Sequence, residues 1–387
     1  GAKPQQTSVP AVLPDGLTWE TATTTNFGVD ADMMDNRLTL SADVYSRKTT
    51  DMFTTSITPP AVFGASAPRG NYADLQTNGW ELSAAWQDGF RLAGSRATYG
   101  VRFVLSDNSS KILKYNNPNG LLSDYRVGQK VGEIWGYTTE GFFKDSADIL
   151  SHASQSFIQS RNSRVWLPGD LKFKDMNGDG KIDVGNQTQA NPGDLSVIGN
   201  TTPRYSYGVN LNGGWHNISV GAFFQGVGKQ NWHPNPEADY FWGQYNRPYN
   251  NIPAWHLNPG VIYDPANPNP DAFFPRLNGY AAQSGERQMS RPQTKYTMNV
   301  AYIRLKNLQI GYDLPTRLVS HVGARGAKIY ISGENLWTHS PLYKYVKDVD
   351  VETISNGSDR VLTNGGNGDG LNYPTMRTFV TGLTLKF

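Results

Sequence analysis

The feature that most constrains this chain is a period-two alternation of apolar and polar residues that recurs in separate stretches along its length. In Arg37–Tyr45, Leu38, Leu40, Ala42 and Val44 fall on one side and Thr39, Ser41 and Asp43 on the other. That spacing gives a strand one apolar and one wet face. Trp80, Leu82, Ala84 and Trp86 alternate in the same way with Glu81, Ser83 and Gln87, and Ile218, Val220, Ala222 and Phe224 alternate with Ser219 and Gln225. The pattern predicts about nine strands, near 18–34, 37–55, 73–87, 91–112, 204–215, 217–229, 301–313, 327–338 and 376–387. Within Tyr302–Tyr312 the alternation fails near Asn307, which predicts a bulge or a stretch buried on both sides.

The links between these strands alternate too. Asp35-Asn36, Asp88-Gly89 and His216-Asn217 read as tight turns, and the link from Asp313 to Ala327 is also fairly short. Between them lie long connections, Thr54 to Tyr72, Leu113 to Pro203, Lys229 to Val300 and His339 to Thr375. Short turns at one end and long loops at the other are what a transmembrane antiparallel β-barrel produces, because its periplasmic turns stay short while its extracellular loops grow and carry function. The final stretch, Phe379 to Phe387, puts Phe379, Leu383, Leu385 and Phe387 on one face. Such an apolar edge invites aggregation in water but is at home against lipid in a closed barrel.

Composition narrows the alternatives. The chain has no Cys, so disulfide frameworks and thiolate metal sites are excluded. Its 35 basic and 33 acidic side chains leave a net charge of +2, with no basic patch to attract nucleic acid. No apolar run approaches the roughly 20 residues a membrane-spanning helix needs. The mean hydropathy of −0.52 is compatible with strands that are apolar on only one face. Gly1–Pro14 is polar and interrupted by Pro, without a signal-peptide pattern, so a leader is expected to have been removed or the true N-terminus to lie elsewhere.

Several stretches, taken in order, resemble the C-terminal region of the SusC/RagA family of TonB-dependent transporters. They are Leu17–Thr21 with Asn26–Asp30, Arg37–Tyr45, Asn78–Leu82, Val131–Gly136, Gly169–Phe173, Ile198–Asn200, Pro203–Gly208, Phe223–Gly226, Tyr302–Leu308 and Gly333–Leu336. The resemblance implies that residues 1–387 are the C-terminal part of a roughly 22-stranded barrel, with the plug, the TonB-contacting segment and the earlier strands outside this chain. It also implies an active importer of oligosaccharides, or of peptides, in the outer membrane of a Bacteroidetes-type bacterium. The implied partners are a SusD-like surface lipoprotein acting as a lid, TonB, and a second transporter–lid pair in a dimer.

Two constellations are candidate sites. Asp175-Met176-Asn177-Gly178-Asp179-Gly180-Lys181-Ile182-Asp183 matches the opening of a calcium loop, with oxygen donors at positions one, three, five and nine, Gly at six and the Lys181 carbonyl at seven. Position twelve is Asn186 rather than an acid, and the resemblance implies that Asp194 supplies the last ligand after an insertion. The ion's role would be structural. The second constellation is the aromatic run Trp232, Tyr240, Phe241, Trp242, Tyr245, Tyr249 and Trp255, set among Asn and Pro. Flat rings beside amides suit contact with substrate or with the lid. Trp19, Trp80, Trp86 and Tyr312 are expected in the membrane-interface girdle. Gly365–Gly370 resembles half a calcium repeat but reads better as a flexible loop.

No enzyme is expected, since the six His (152, 216, 233, 256, 321 and 339) lack metal-ligand spacing and neither a nucleophile elbow nor a P-loop is present. The rival from another class is a secreted soluble all-β protein that binds or degrades polysaccharide, and a passive porin is a second rival.

Overall fold

The computed structural model describes residues 16–55, 68–354 apart from 162, 164, 237 and 348, and 375–387; the Gly365–Gly370 loop lies outside these residues. Nine strands form one antiparallel sheet in which each strand pairs with its sequence neighbours. They are β1 (Thr21–Met33), β2 (Leu38–Thr55), β3 (Arg69–Leu92), β4 (Ser95–Lys114), β5 (Arg204–Trp215), β6 (Ile218–Lys229), β7 (Tyr302–Asp313), β8 (Gly326–His339) and β9 (Thr378–Lys386). Among the described residues β1 pairs only with β2 and β9 only with β8. The sheet is therefore an arc of barrel wall with two open edges.

The register converts the alternation of single strands into bands that cross the whole sheet. Met33, Leu38, Trp86, Val101, Leu211, Ala222, Leu308, Gly333 and Phe379 are successive partners from β1 to β9. A second row on the same face runs Ala31, Leu40, Ala84, Phe103, Val209, Phe224, Leu305 and Trp337. The opposite face carries rows such as Asp30, Ser41, Ser83, Val104, Gly208, Gln225, Arg304 and Thr338. One face is thus continuously apolar and the other largely polar. That division suits hydrocarbon outside and water within.

The expected irregularity near Asn307 is a bulge. Register shifts between Leu305 and Asn307 against β8, and between Phe223 and Phe224 against β6, leave Lys306 unpaired. Side chains alternate with period two, so an extra residue reverses parity. Leu308, Ile310 and Tyr312 before the reversal, and Leu305 and Ile303 after it, therefore share the apolar face.

One turn is a correction. Asp88-Gly89 is not a turn but part of the ladder, where Asp88 pairs with Tyr99 and Gly89 with Thr98. The chain reverses at Ala93-Gly94, with φ of 46° and 79°, the positive values a two-residue hairpin requires. The Asp-Gly pair carries the stronger turn signal, but cross-strand pairing with Ser95–Thr98 extends the hairpin past it. The other tight reversals are as expected, with positive φ at Met34, Asp35 and Asn36 and at His216.

β2, β3 and β4 contain 18, 24 and 20 residues, against the roughly 9–11 that cross a bilayer. Strands of this length would project beyond a bilayer, and at their long-loop ends the loops fold together. Their shared core includes Tyr137, Phe142, Ile158, Leu171, Phe173 and Ile182 from 115–203, Trp232, Phe241, Trp242, Tyr245, Phe274 and Tyr296 from 230–301, and Leu342, Val346, Val349 and Val351 from 340–354. Val227 of β6 and Tyr302 of β7 belong to the same core. Both side chains lie on the polar-side parity, which identifies that face as the inner one.

Candidate functional site

The candidate site is this loop assembly, and each loop is closed at its base before it contributes. The guanidinium of Arg204 forks onto both oxygens of Asp107, joining the ends of 115–203. The ends of 230–301 are joined by pairing of Asn231 with Asn299 and Trp232 with Met298. For the third loop, the Thr375 N–H donates to Asp350 at 3.0 Å, and Asp350 in turn accepts from Arg304 of β7.

The loops are also tied to one another. Asp170 is completely buried and accepts from Arg276, Asn278 and the Leu167 N–H at 3.1, 3.0 and 2.9 Å. Gln288 donates to Asp170 and to the Ser160 carbonyl, while the Leu171 N–H donates to its side-chain oxygen. Tyr137 pairs with Gln293, and its N–H donates to the Pro292 carbonyl at 3.0 Å. A Cβ on the adjacent Gly136 would lie 2.2 Å from that carbonyl oxygen, so only Gly permits the approach. The ring of Tyr345 stacks on Phe273 at 4.3 Å and 28°.

Of the aromatic residues expected at a contact surface, the structure keeps some and removes others. Trp232, Trp242 and Tyr245 are 3, 0 and 0% exposed, which corrects their expected role: they pack the loop assembly, a cap at the ends of the strands, from inside. Phe274 explains this, because Phe241, Trp242, Tyr245, Trp255, Phe273 and Tyr296 gather around it with centroids 4.8–6.2 Å away. Nothing in the spacing of 232–255 signals a partner ring thirty residues downstream. Trp255 is half-buried against the same cluster, whereas Tyr240 and Tyr249 are 43 and 76% exposed and do present their rings. Trp80, Trp86 and Tyr312 lie on the apolar-side parity of the sheet, and Trp19 is almost fully exposed.

Two imidazoles lie within this ring cluster. His256 meets the Phe241 carbonyl at 2.9 Å, and burial lowers its pKa to about 4. Burial lowers His233 further, to about 3; the Tyr296 backbone is near enough to oppose the shift, but neither ring nitrogen has a full hydrogen bond.

The Asp175–Asp183 loop is held by its own donors. Asp175 accepts the N–H groups of Gly178 and Gly180, Asn177 that of Asp179, Asp179 that of Lys181, and Asp183 that of Gly185. Asp194 is buried and clasps the loop from outside, accepting Met176 N–H at 2.7 Å and Asp183 N–H at 2.8 Å. Burial raises the Asp194 pKa; the two N–H groups counter this, and the charges of Asp175 and Asp179 reinforce it. The donor set is all oxygen, as a hard divalent cation requires. Among the described residues no group of three His, Asp or Glu side chains gathers at one point, so a cation here would also draw on Asn177 and the Lys181 carbonyl. Asp194 is committed to backbone N–H groups.

Among the described residues no helix is long and apolar enough to cross a membrane. Residues 4–336 match the family described as "TonB dependent receptor-like, beta-barrel". The chain belongs to that family. It is 27% identical to TonB-dependent receptor P3 of Formosa agariphila over 96% of this chain and 35% of that protein. It is 24% identical to TonB-dependent receptor SusC of Bacteroides thetaiotaomicron over 98% of this chain and 33% of that protein. A structure of the RagAB peptide transporter superposes with a TM-score of 0.64 at 19% identity, covering 96% of this chain and 36% of that one. The same importer in its "closed-closed" state gives 0.63 at 20%. The chain thus spans about a third of the length of the curated relatives it matches. These relatives of the TonB-dependent family are named as receptors rather than as enzymes.

Proposed function

We propose that this TonB-dependent family member forms part of the wall and the extracellular cap of an energised outer-membrane importer. The observation that carries the reading is the apolar row from Met33 to Phe379, which crosses every strand of the sheet on the face opposite the cap residues Val227 and Tyr302. A soluble all-β protein would have to expose that band to water, an extent of apolar surface that monomers seldom tolerate. In this reading TonB acts through parts of the protein beyond this chain, a SusD-like lipoprotein closes over the cap, and two such pairs associate. Cargo is held on the inner face beneath the cap and released inward without chemical change.

Oligosaccharides are the leading cargo class, supported by exposed flat rings such as Tyr240 and Tyr249 set among amides. Peptides are the second, favoured by likeness to a structure described as a peptide transporter. The deciding experiment is uptake of labelled oligosaccharides and peptides by cells carrying the complete protein, with and without a protonophore. Accumulation abolished by the protonophore supports the proposal. Uptake that persists unchanged indicates passive diffusion and overturns it. A structural calcium in the Asp175–Asp183 loop is part of the same proposal, supported by the all-oxygen donor set.

A further inference from the structure

The segment 340–354 meets the inner side of the sheet as a strap, where Arg304 and Lys306 of β7 reach its acids. Arg304 of β7 lies on the inner face, paired with Gln225 and Thr338. It is 3% exposed, and its guanidinium donates in three directions: from Nε to Thr338 Oγ1 at 2.9 Å, from Nη1 to Glu352 and from Nη2 to Asp350. Asp350 is the knot. Its Oδ1 also accepts the Glu352 N–H at 3.1 Å, and its Oδ2 accepts the Thr375 N–H at the entry to β9. Glu352 has a second cation, Lys306, at 3.0 Å, whereas Asp350 has Arg304 alone as its ion-pair partner among the described residues.

Leu342, Val346, Val349, Val351 and Ile354 anchor the strap through buried apolar side chains. Those contacts are non-directional and do not fix where the strap ends. The ion pair does, because removing one partner of a buried pair leaves a charge that must be hydrated, whereas removing both charges can be nearly neutral.

We propose that Arg304 is the catch of an electrostatic latch. It seats the strap 340–354 and the entry of β9 on the inner wall, and withdrawing its charge releases them together. The same strap walls a cleft of about 620 Å³ with His339, Tyr343, Lys344 and Lys347, so the latch also sets the shape of that cleft. The latch requires only the inner placement of Arg304 and stands whatever the cargo is.

The test is hydrogen–deuterium exchange on the complete protein in detergent, comparing the wild type with Arg304→Met and with the double variant Arg304→Met/Asp350→Asn. The single variant is expected to exchange the 340–354 amides at least roughly tenfold faster while 204–229 stay as slow as in the wild type. The double variant is expected to regain most of the lost protection, since the amide side chain still accepts the Thr375 N–H. Unchanged exchange in the single variant overturns the latch. So does equal acceleration of strap and wall, or a double variant as fast as the single. Should Arg304→Met fail to insert, Asp350→Lys, which lies outside the wall and sets a like charge against Arg304, is expected to show the same local acceleration; its absence overturns the proposal equally.

Discussion

Leu305 faces Trp337 directly across the β7–β8 ladder, one position beyond the bulge at Lys306. Without that extra residue, Leu305 and Ile303 would point inward and Arg304 outward.

Deleting Lys306 should therefore fail in the membrane rather than merely weaken the fold. The slip turns Arg304, at the loop-side end of β7, onto the apolar face and away from Asp350 and Glu352, a loss of about 3–5 kcal/mol for a broken buried pair, and turns two apolar residues inward. The expected outcome is loss of folded, heat-modifiable protein in outer-membrane fractions, with Lys306→Ala, which keeps the count, near wild type. Equal yields for the deletion and the wild type would contradict the parity argument.

Trp242→Ala and Tyr240→Ala should separate the cap's interior from its surface. Trp242 is fully buried, so its truncation is expected to cost about 3–5 kcal/mol and to show as early loss of near-ultraviolet dichroism on heating. Tyr240, 43% exposed, should leave the melt unchanged and alter only cargo or lid binding. A lower melting point for both would place Tyr240 in the packing as well.

Breaking the join between loops should be costly at Asp170. Asp170→Ala leaves Arg276 buried without its carboxylate, a loss of about 3–5 kcal/mol, whereas Gly136→Ala drives a Cβ into the Pro292 carbonyl and should cost about 1–3 kcal/mol. Limited proteolysis within 137–175 and 276–294 measures both, and resistance equal to the wild type would refute the tie.

Cap stability should fall in acid. The pKa values of His233 and His256 are lowered to about 3 and about 4 by burial, from 6.5 when unfolded. The unfolded cap binds these protons first, so their contribution is complete above about pH 6.5 and declines as pH falls toward 4. Exchange of the 233–257 amides should accelerate over that window, and His256→Gln should flatten the profile. A flat wild-type profile would rule the pair out.

Calcium added to chelator-treated protein should slow exchange in 175–185 and protect the bond after Lys181 from trypsin. Asp175→Ala should abolish both effects. Identical protection with and without calcium would mean that the loop's own N–H ladder suffices.

The wall was legible in the sequence because a two-faced strand writes its environment into every second residue. Even the irregularity near Asn307 was visible as a lapse in that rhythm. The β3–β4 turn was not, because Asp88-Gly89 satisfies the local chemistry of a turn while ladder pairing beyond it decides where the chain reverses. The cap was hidden more deeply. Its packing joins Phe241 to Phe274 and Asp170 to Arg276 across tens to more than a hundred residues, and no local period records such contacts. Aromatic residues in a polar loop look alike whether they face solvent or one another, so Trp242 and Tyr240, two positions apart, were indistinguishable until the core was seen.

A cap whose interior is shared among three loops cannot be inherited or engineered piecemeal. Grafting any one of them from a relative would leave Phe274, Asp170 or Tyr345 without its counterpart, so chimeras that aim to change cargo choice must exchange the three as a block.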